Sequence, residues 1–156
     1  MHERLGLELP FLRQLCAVGG PTRDPRAPWA LSVVYRALVP AEKLEPSAGK
    51  RIEALAWRPV EDAMEDKGLA FDHAALIGQA VTATRAEVDG LQLPFGFLPE
   101  EFTLGELQSA CELLLGRRLD KSSFRRRLAE RDVLEPVLGA MRGGAFRPAQ
   151  LYRERR

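Results

Sequence analysis

Five basic residues fall within eleven positions, Lys121, Arg125, Arg126, Arg127 and Arg131 in the string KSSFRRRLAER. A guanidinium can donate two parallel hydrogen bonds to O6 and N7 of guanine, and a serine hydroxyl can bond a base edge or a phosphate. Ser122, Ser123, Arg125 and Arg126 are therefore candidate readers of a duplex. Arg117 and Arg118 precede them, and Arg142 and Arg147 follow, where contacts to phosphate would position the protein without specifying sequence. Lys121 and Gln150 complete the candidate DNA-binding set. Other reactive side chains suggest less. Cys16 and Cys111 lack any CxxC or Cys/His spacing and are expected as reduced core residues. Asp72 with His73 is expected as a helix cap and a surface residue, and Glu61, Asp62, Glu65 and Asp66 as a solvated acidic loop. Trp29 and Trp57 are expected in core or edge packing.

A helix must present the basic string, and the local signals for one are strong. Asp120 is its expected N-cap, and Phe124 with Leu128, one turn apart, supply an apolar anchor. At about 100° per residue the opposite side carries Ser122, Arg126 and Glu130, flanked by Ser123, Arg125 and Ala129, while Arg127 lies nearer the buried side. Upstream, Thr103 and Glu106 form a capping box ahead of Leu104, Leu107, Ala110, Cys111 and Leu114, and Gly116 is the stop. The tight connector GRRLD makes the pair a helix-turn-helix. Val133 to Leu138 and Gln150 to Arg153, around the glycines of AMRGGAFRPA, predict a β-hairpin and hence a wing.

Nearer the start, Leu9 to Val18 and Ala30 to Val39 predict strands, and Glu53 to Trp57 a third that Pro59 ends. The string FDHAALIGQAVTATRAEVDG predicts a helix opened by Asp72, with Ala75, Ile77, Ala80, Val81, Thr84 and Val88 at helical spacing and Gly90 as its stop. LQLPFGFLPEE, broken twice by proline, is the expected domain boundary.

Composition agrees with two modules. Residues 1–116 carry 11 Lys/Arg against 17 Asp/Glu, and residues 117–156 carry 12 against 5, so a net −6 gives way to +7. Such a sign change points to a polyanionic partner for the second module. No run reaches the roughly 18 apolar residues of a membrane span, and MHERLGLELP lacks the order of a signal peptide, so the expected compartment is the cytoplasm.

The string LPEEFTLGELQ…LLGRRLDKSSFRRRL…LEP…RGGAFRPAQLYR resembles the C-terminal domain of the Nudix-related transcriptional regulators, the NrtR family. The resemblance spans residues 97–156 and is most specific in FRRRL and FRPAQLYR. It implies a winged helix joined to a Nudix-like domain that senses ADP-ribose or a related nucleotide, in a regulator of NAD or pentose metabolism. Residues 1–90 are similar to the second half of such a domain, through DPR at Asp24 to Arg26, ALSVVYRALV and FDHAALI. A Nudix box reads G, five residues, E, seven residues, REU, X, EE, X, G, U, and MHERLGL matches only its tail. Met1 takes the aliphatic place, Glu3 the first paired acid, Arg4 the second, and Gly6 and Leu7 the closing pair. Nudix hydrolysis holds magnesium on clustered carboxylates, and Arg4 puts a cation where the metal would sit.

The expected fold class is α+β: a truncated Nudix-like half-domain with a long connecting helix over residues 1–92, then a winged helix-turn-helix domain over residues 97–156. The expected function is a sequence-specific DNA-binding regulator, not an enzyme, without a resident cofactor or metal. Its expected partners are double-stranded DNA, a second copy in a homodimer that covers the strand edges, and an ADP-ribose-like effector. Two alternatives are a fragment of a Nudix-type ADP-ribose pyrophosphohydrolase and a dimerisation module.

Overall fold

RQLCAVGG and ALSVVYR, with side chains of alternating exposure, pair as antiparallel strands β1 (Arg13–Gly20) and β2 (Ala30–Arg36) in the computed structural model, which describes residues 12–21, 23–40, 54, 56–143 and 148–155. The register runs from Arg13 opposite Arg36 to Gly20 opposite Ala30, with an irregularity between Gln14 and Cys16. β1 runs two residues beyond the expected Val18, with Leu9 to Phe11 outside the described residues, and β2 starts at Ala30 as expected but ends at Arg36, three residues short of Val39. One face of β2 leaves Leu31, Val33 and Tyr35 about half exposed, and Trp29 just before it is 57% exposed.

The third expected strand is not observed among the described residues. Ala54, Ala56 and Trp57 have no regular structure, Glu53 and Leu55 lie outside the described residues, and Trp57 is 74% exposed. Neither tryptophan is a core residue; Trp57, outside any strand, corrects the expected core or edge packing, whereas Trp29 packs beside Gly19 at the edge of the β-pair. The acidic stretch expected as a loop is a short helix, α1 (Val60–Glu65), whose first turn holds Glu61 and Asp62 at the positive end of the helix dipole. Asp66 follows it, accepting from the Gly68 N–H at 2.7 Å and pairing with Arg58, which holds its carboxyl below the usual range.

Helix α2 (His73–Asp89) begins where expected, with the Asp72 carbonyl accepting from Leu76 N–H. Its carboxylate does something else. Arg23 binds both Asp72 oxygens, lowering that carboxyl's pKa, and donates through Nε to Ser32 Oγ at 3.1 Å. Asp72 therefore ties the helix start to the β-pair's loop. Leu76, Thr84 and Val88 are buried along the helix, whereas Ala75 is exposed. The end of α2 departs from the glycine stop. Gln92 N–H bonds Glu87 O at 2.8 Å and Leu91 N–H bonds Val88 O at 3.0 Å, so Gly90 is the C-cap and Leu91, at φ 59°, is the left-handed residue. Leu91 holds that conformation with its side chain buried in the core.

Two compact units divide within α2, between Thr84 and Arg85. The second unit continues through a 3₁₀ turn (Phe95–Phe97) to β3 (Phe102–Thr103), α3 (Leu104–Leu115), α4 (Lys121–Arg131), β4 (Leu134–Arg142) and β5 (Ala149–Glu154). Its sheet is antiparallel in the order β3-β5-β4, with Phe102 opposite Tyr152 and Leu134 opposite Glu154. Val88, Leu91, Leu93, Phe102, Leu107, Cys111, Leu115, Phe124 and Leu128 form one core, against which Phe95 and Leu98 also pack. The proline-broken stretch 91–101 thus contributes to this core, and Phe95 stacks on Phe102 with centroids 6.1 Å apart. Cys111 is fully buried, which pushes its thiol up to about 12, with the Glu112 charge adding to the shift; Cys16 is only partly buried.

Candidate nucleic-acid interface

Three local devices fix the basic helix. The capping box forms as expected: Thr103 Oγ1 accepts from Glu106 N–H at 3.1 Å, and Glu106 accepts from Thr103 N–H at 2.7 Å. At the other end of α3, Gly116 sits at φ 69°, where an added Cβ would also stand 3.2 Å from the Arg85 guanidinium. Then Asp120 caps α4, its carboxylate accepting from Ser123 N–H at 2.8 Å and from Ser122 Oγ at 2.6 Å. Those two bonds, the hydroxyl first, hold the Asp120 carboxyl below its ordinary range. Burial of Phe124 and Leu128 fastens the helix to the core, each contributing about 1.5–3 kcal/mol relative to exposure.

A device absent from the expectations lies in the connector. Glu112 Oε1 accepts from Leu119 N–H at 2.9 Å and from Gln108 Nε2 at 3.0 Å, while Gln108 Nε2 also donates to Leu119 O at 3.1 Å. Leu119 is held through both its backbone polar groups. Glu112 Oε2 accepts from Arg118 at 2.9 Å. The Leu119 N–H, Gln108 and Arg118 together hold the Glu112 carboxyl down to about 2.

The candidate DNA-binding residues fall into distinct situations. Lys121 and Arg125 are exposed and have no side-chain partner among the described residues. Arg126 is exposed with only a loose i,i+4 approach to Glu130 at 3.8 Å. Ser122 donates its hydroxyl proton to Asp120, so towards a base it can offer lone pairs to an amino group. Ser123 is half-buried. Arg117 pairs with the Asp89 carboxylate, and Arg127 donates to the Asp89 carbonyl. Arg127 is thus turned to the end of α2, in keeping with its place nearer the buried side.

In the wing, Arg142 pairs with Glu106 and donates to Glu101 O at 3.3 Å. Burial works against ionisation of Glu106, but the Thr103 N–H, Arg142 and the Thr103 hydroxyl together prevail and lower its pKa. Gln150 is turned inward: its Nε2 donates to Val137 O at 2.8 Å and Ala140 O at 3.2 Å, bridging the irregularity of β4 between Pro136 and Met141. Arg147 lies outside the described residues. The strands are longer than the expected hairpin, and Pro136 is tolerated because β4 is an edge strand. A helix with free cations, set between a clamped turn and a hairpin, has the arrangement of a winged helix that enters a major groove. Among the described residues, no three His, Cys, Asp or Glu side chains converge on a metal position.

Comparison with known proteins bears on the whole chain. The profile of the NrtR DNA-binding winged helix domain matches residues 94–153. The ADPR responsive transcriptional repressor NtrR of Acinetobacter baylyi is 37% identical over 151 residues, covering 97% of this chain; the chain spans 59% of that relative's length. The crystal structure of Shewanella oneidensis NrtR complexed with a 27mer DNA matches with TM-score 0.73 and 35% identity, over 99% of this chain and 68% of that one. A MutT/nudix family protein from Enterococcus faecalis matches with TM-score 0.75 over 99% of this chain and 65% of its own, at 21% identity, a likeness of fold alone.

Proposed function

The chain belongs to the NrtR family, and we propose that it is a sequence-specific regulator of transcription that binds duplex DNA through α4 and the wing. The observation that carries this reading is the exposed face of α4, where Lys121, Ser122, Arg125 and Arg126 project from a helix fixed by Phe124, Leu128 and the Asp120 cap. In this reading Arg117, Arg118 and Arg142 bond phosphates. Residues 97–156 are then the DNA-binding module, with 85–96 completing its core, and the unit ending at Thr84 is a Nudix-like portion whose effector is an ADP-ribose-class nucleotide, as the name of the Acinetobacter relative suggests. The protein works in the cytoplasm as a homodimer on genes of nucleotide or sugar metabolism. It needs no cofactor and does not hydrolyse its effector, since Arg4 would oppose a divalent metal.

The test is an anisotropy titration of the full chain with duplex from its own promoter region. With roughly 4–6 phosphates contacted, log K should fall with log salt at a slope of about −4 to −5, and ADP-ribose should release the duplex. A flat salt response, or no binding at low salt, would overturn the DNA reading. Turnover of ADP-ribose with magnesium that disappears in Glu3→Gln would overturn the non-catalytic one.

A further inference from the structure

Four arginines of the candidate interface approach carboxylates, and the four pairs are not equivalent. Glu112 is committed to the Leu119 N–H and Gln108 as well as to Arg118. Glu106 belongs to the capping box as well as to Arg142, which has a second acceptor at Glu101 O. Arg126 and Glu130 are 3.8 Å apart on an exposed helix face. The fourth pair is different in kind. The Asp89 carboxylate has Arg117 as its only partner among the described residues, and the two side chains are 47% and 54% exposed. Asp89 also occupies the last position of α2, where the helix dipole disfavours a negative charge. The tether of α4 to this corner uses the Asp89 carbonyl, through Arg127, and is independent of the carboxylate.

We propose that Asp89 is a built-in counter-ion that occupies Arg117 in the free protein and is displaced by a backbone phosphate on DNA binding, so that it sets the affinity for every sequence alike. This rests on the DNA-binding reading above. A phosphate offers Arg117 the same bidentate acceptor geometry as a carboxylate, and exchange requires no rearrangement of the core, since neither side chain is buried. Removing the carboxylate leaves Arg117 unoccupied before binding and takes an unfavourable charge from the helix end, so the variant should fold.

Full-length wild type, Asp89→Asn, Arg117→Ala and the double variant are titrated with the same duplex and with an unrelated duplex at one salt concentration. Asp89→Asn should tighten both duplexes roughly two- to fivefold, the range of an exposed ion pair, and the gain should vanish in the Arg117→Ala background. Asp89→Ala should repeat the gain, which separates loss of charge from any hydrogen bond made by asparagine. A gain that survives in Arg117→Ala would mean general charge repulsion, and an unchanged or weaker affinity would mean a structural pair; either overturns the proposal while leaving the DNA reading standing. Absence of duplex binding by the wild type would overturn both.

Discussion

Gln108 and Glu112 stand one turn apart on α3, 3.0 Å from each other, and grip the backbone N–H and carbonyl of Leu119 between them. The connector between the helices is therefore held by side chains of the first helix. A carboxyl depressed in the folded state stabilises above its ordinary pKa of 4.5, and that contribution fades as pH falls through about 2. Glu112→Gln should thus melt below the wild type at neutral pH, and the two Tm values should converge between pH 4.5 and 2. Parallel Tm curves over that range would remove Glu112 from the clamp.

The two-residue anchor of α4 makes a sharper claim about stability. Phe124→Ala should cost about 3–5 kcal/mol and Leu128→Ala about 2–5 kcal/mol, since both leave cavities in a core that includes Leu107 and Cys111. Urea unfolding followed by far-ultraviolet circular dichroism measures this. A loss below about 1 kcal/mol for Phe124→Ala would mean that the helix is held mainly by its caps.

Capping can be weighed separately. Thr103→Ala removes the acceptor for Glu106 N–H and should cost about 0.5–2 kcal/mol in the same assay. Thr103→Ser keeps the oxygen and should recover most of the loss. Equal losses in both variants would point to the methyl group instead.

Base choice should divide from phosphate contact along the residues of α4 and the wing. Arg126→Ala should cost about 1–3 kcal/mol on the preferred site and relax one base position. Arg142→Ala should weaken all duplexes alike and lower the salt slope by about one. Selection from random duplexes with each variant reads both effects, and the wild-type motif should be palindromic if two copies bind paired half-sites. An unchanged motif in Arg126→Ala would shift base reading to Arg125 and Lys121, two exposed cations of α4 without side-chain partners among the described residues.

The parts legible in the sequence are those decided within a few residues. Thr103 with Glu106, Asp120, Gly116 and the Phe124/Leu128 pair each announce themselves at fixed helical offsets, so α3 and α4 can be drawn before any coordinates. Interactions that close over longer separations are hidden. Glu112 looks like one more solvated acid until Leu119 folds back onto it, and Gln150 looks like a polar wing residue until the irregularity of β4 offers it two carbonyls. Prolines in LQLPFGFLPEE signal a break in helix correctly, but the same stretch delivers Leu91 and Leu93 to the core, which periodicity cannot reveal in so short a run. Acidic residues in α1 suggest solvent, and their value at a helix start depends on a helix not evident from its six residues. In the first unit, Asp72 has an evident local role as a cap, and nothing local announces the arginine 49 positions earlier that claims it.

Trp29 and Trp57 are the chain's two tryptophans, both in the unit ending at Thr84 and both largely in water. Residues 85–156 contain none, and their one tyrosine is Tyr152. The molecule is thus optically divided: light absorbed only by indole is emitted from the unit ending at Thr84, while α4 and the wing stay dark. If the proposed nucleotide effector and duplex both bind, each can be followed in one cuvette, and any shift of the indole emission caused by duplex alone would be a direct signal of communication between the two halves.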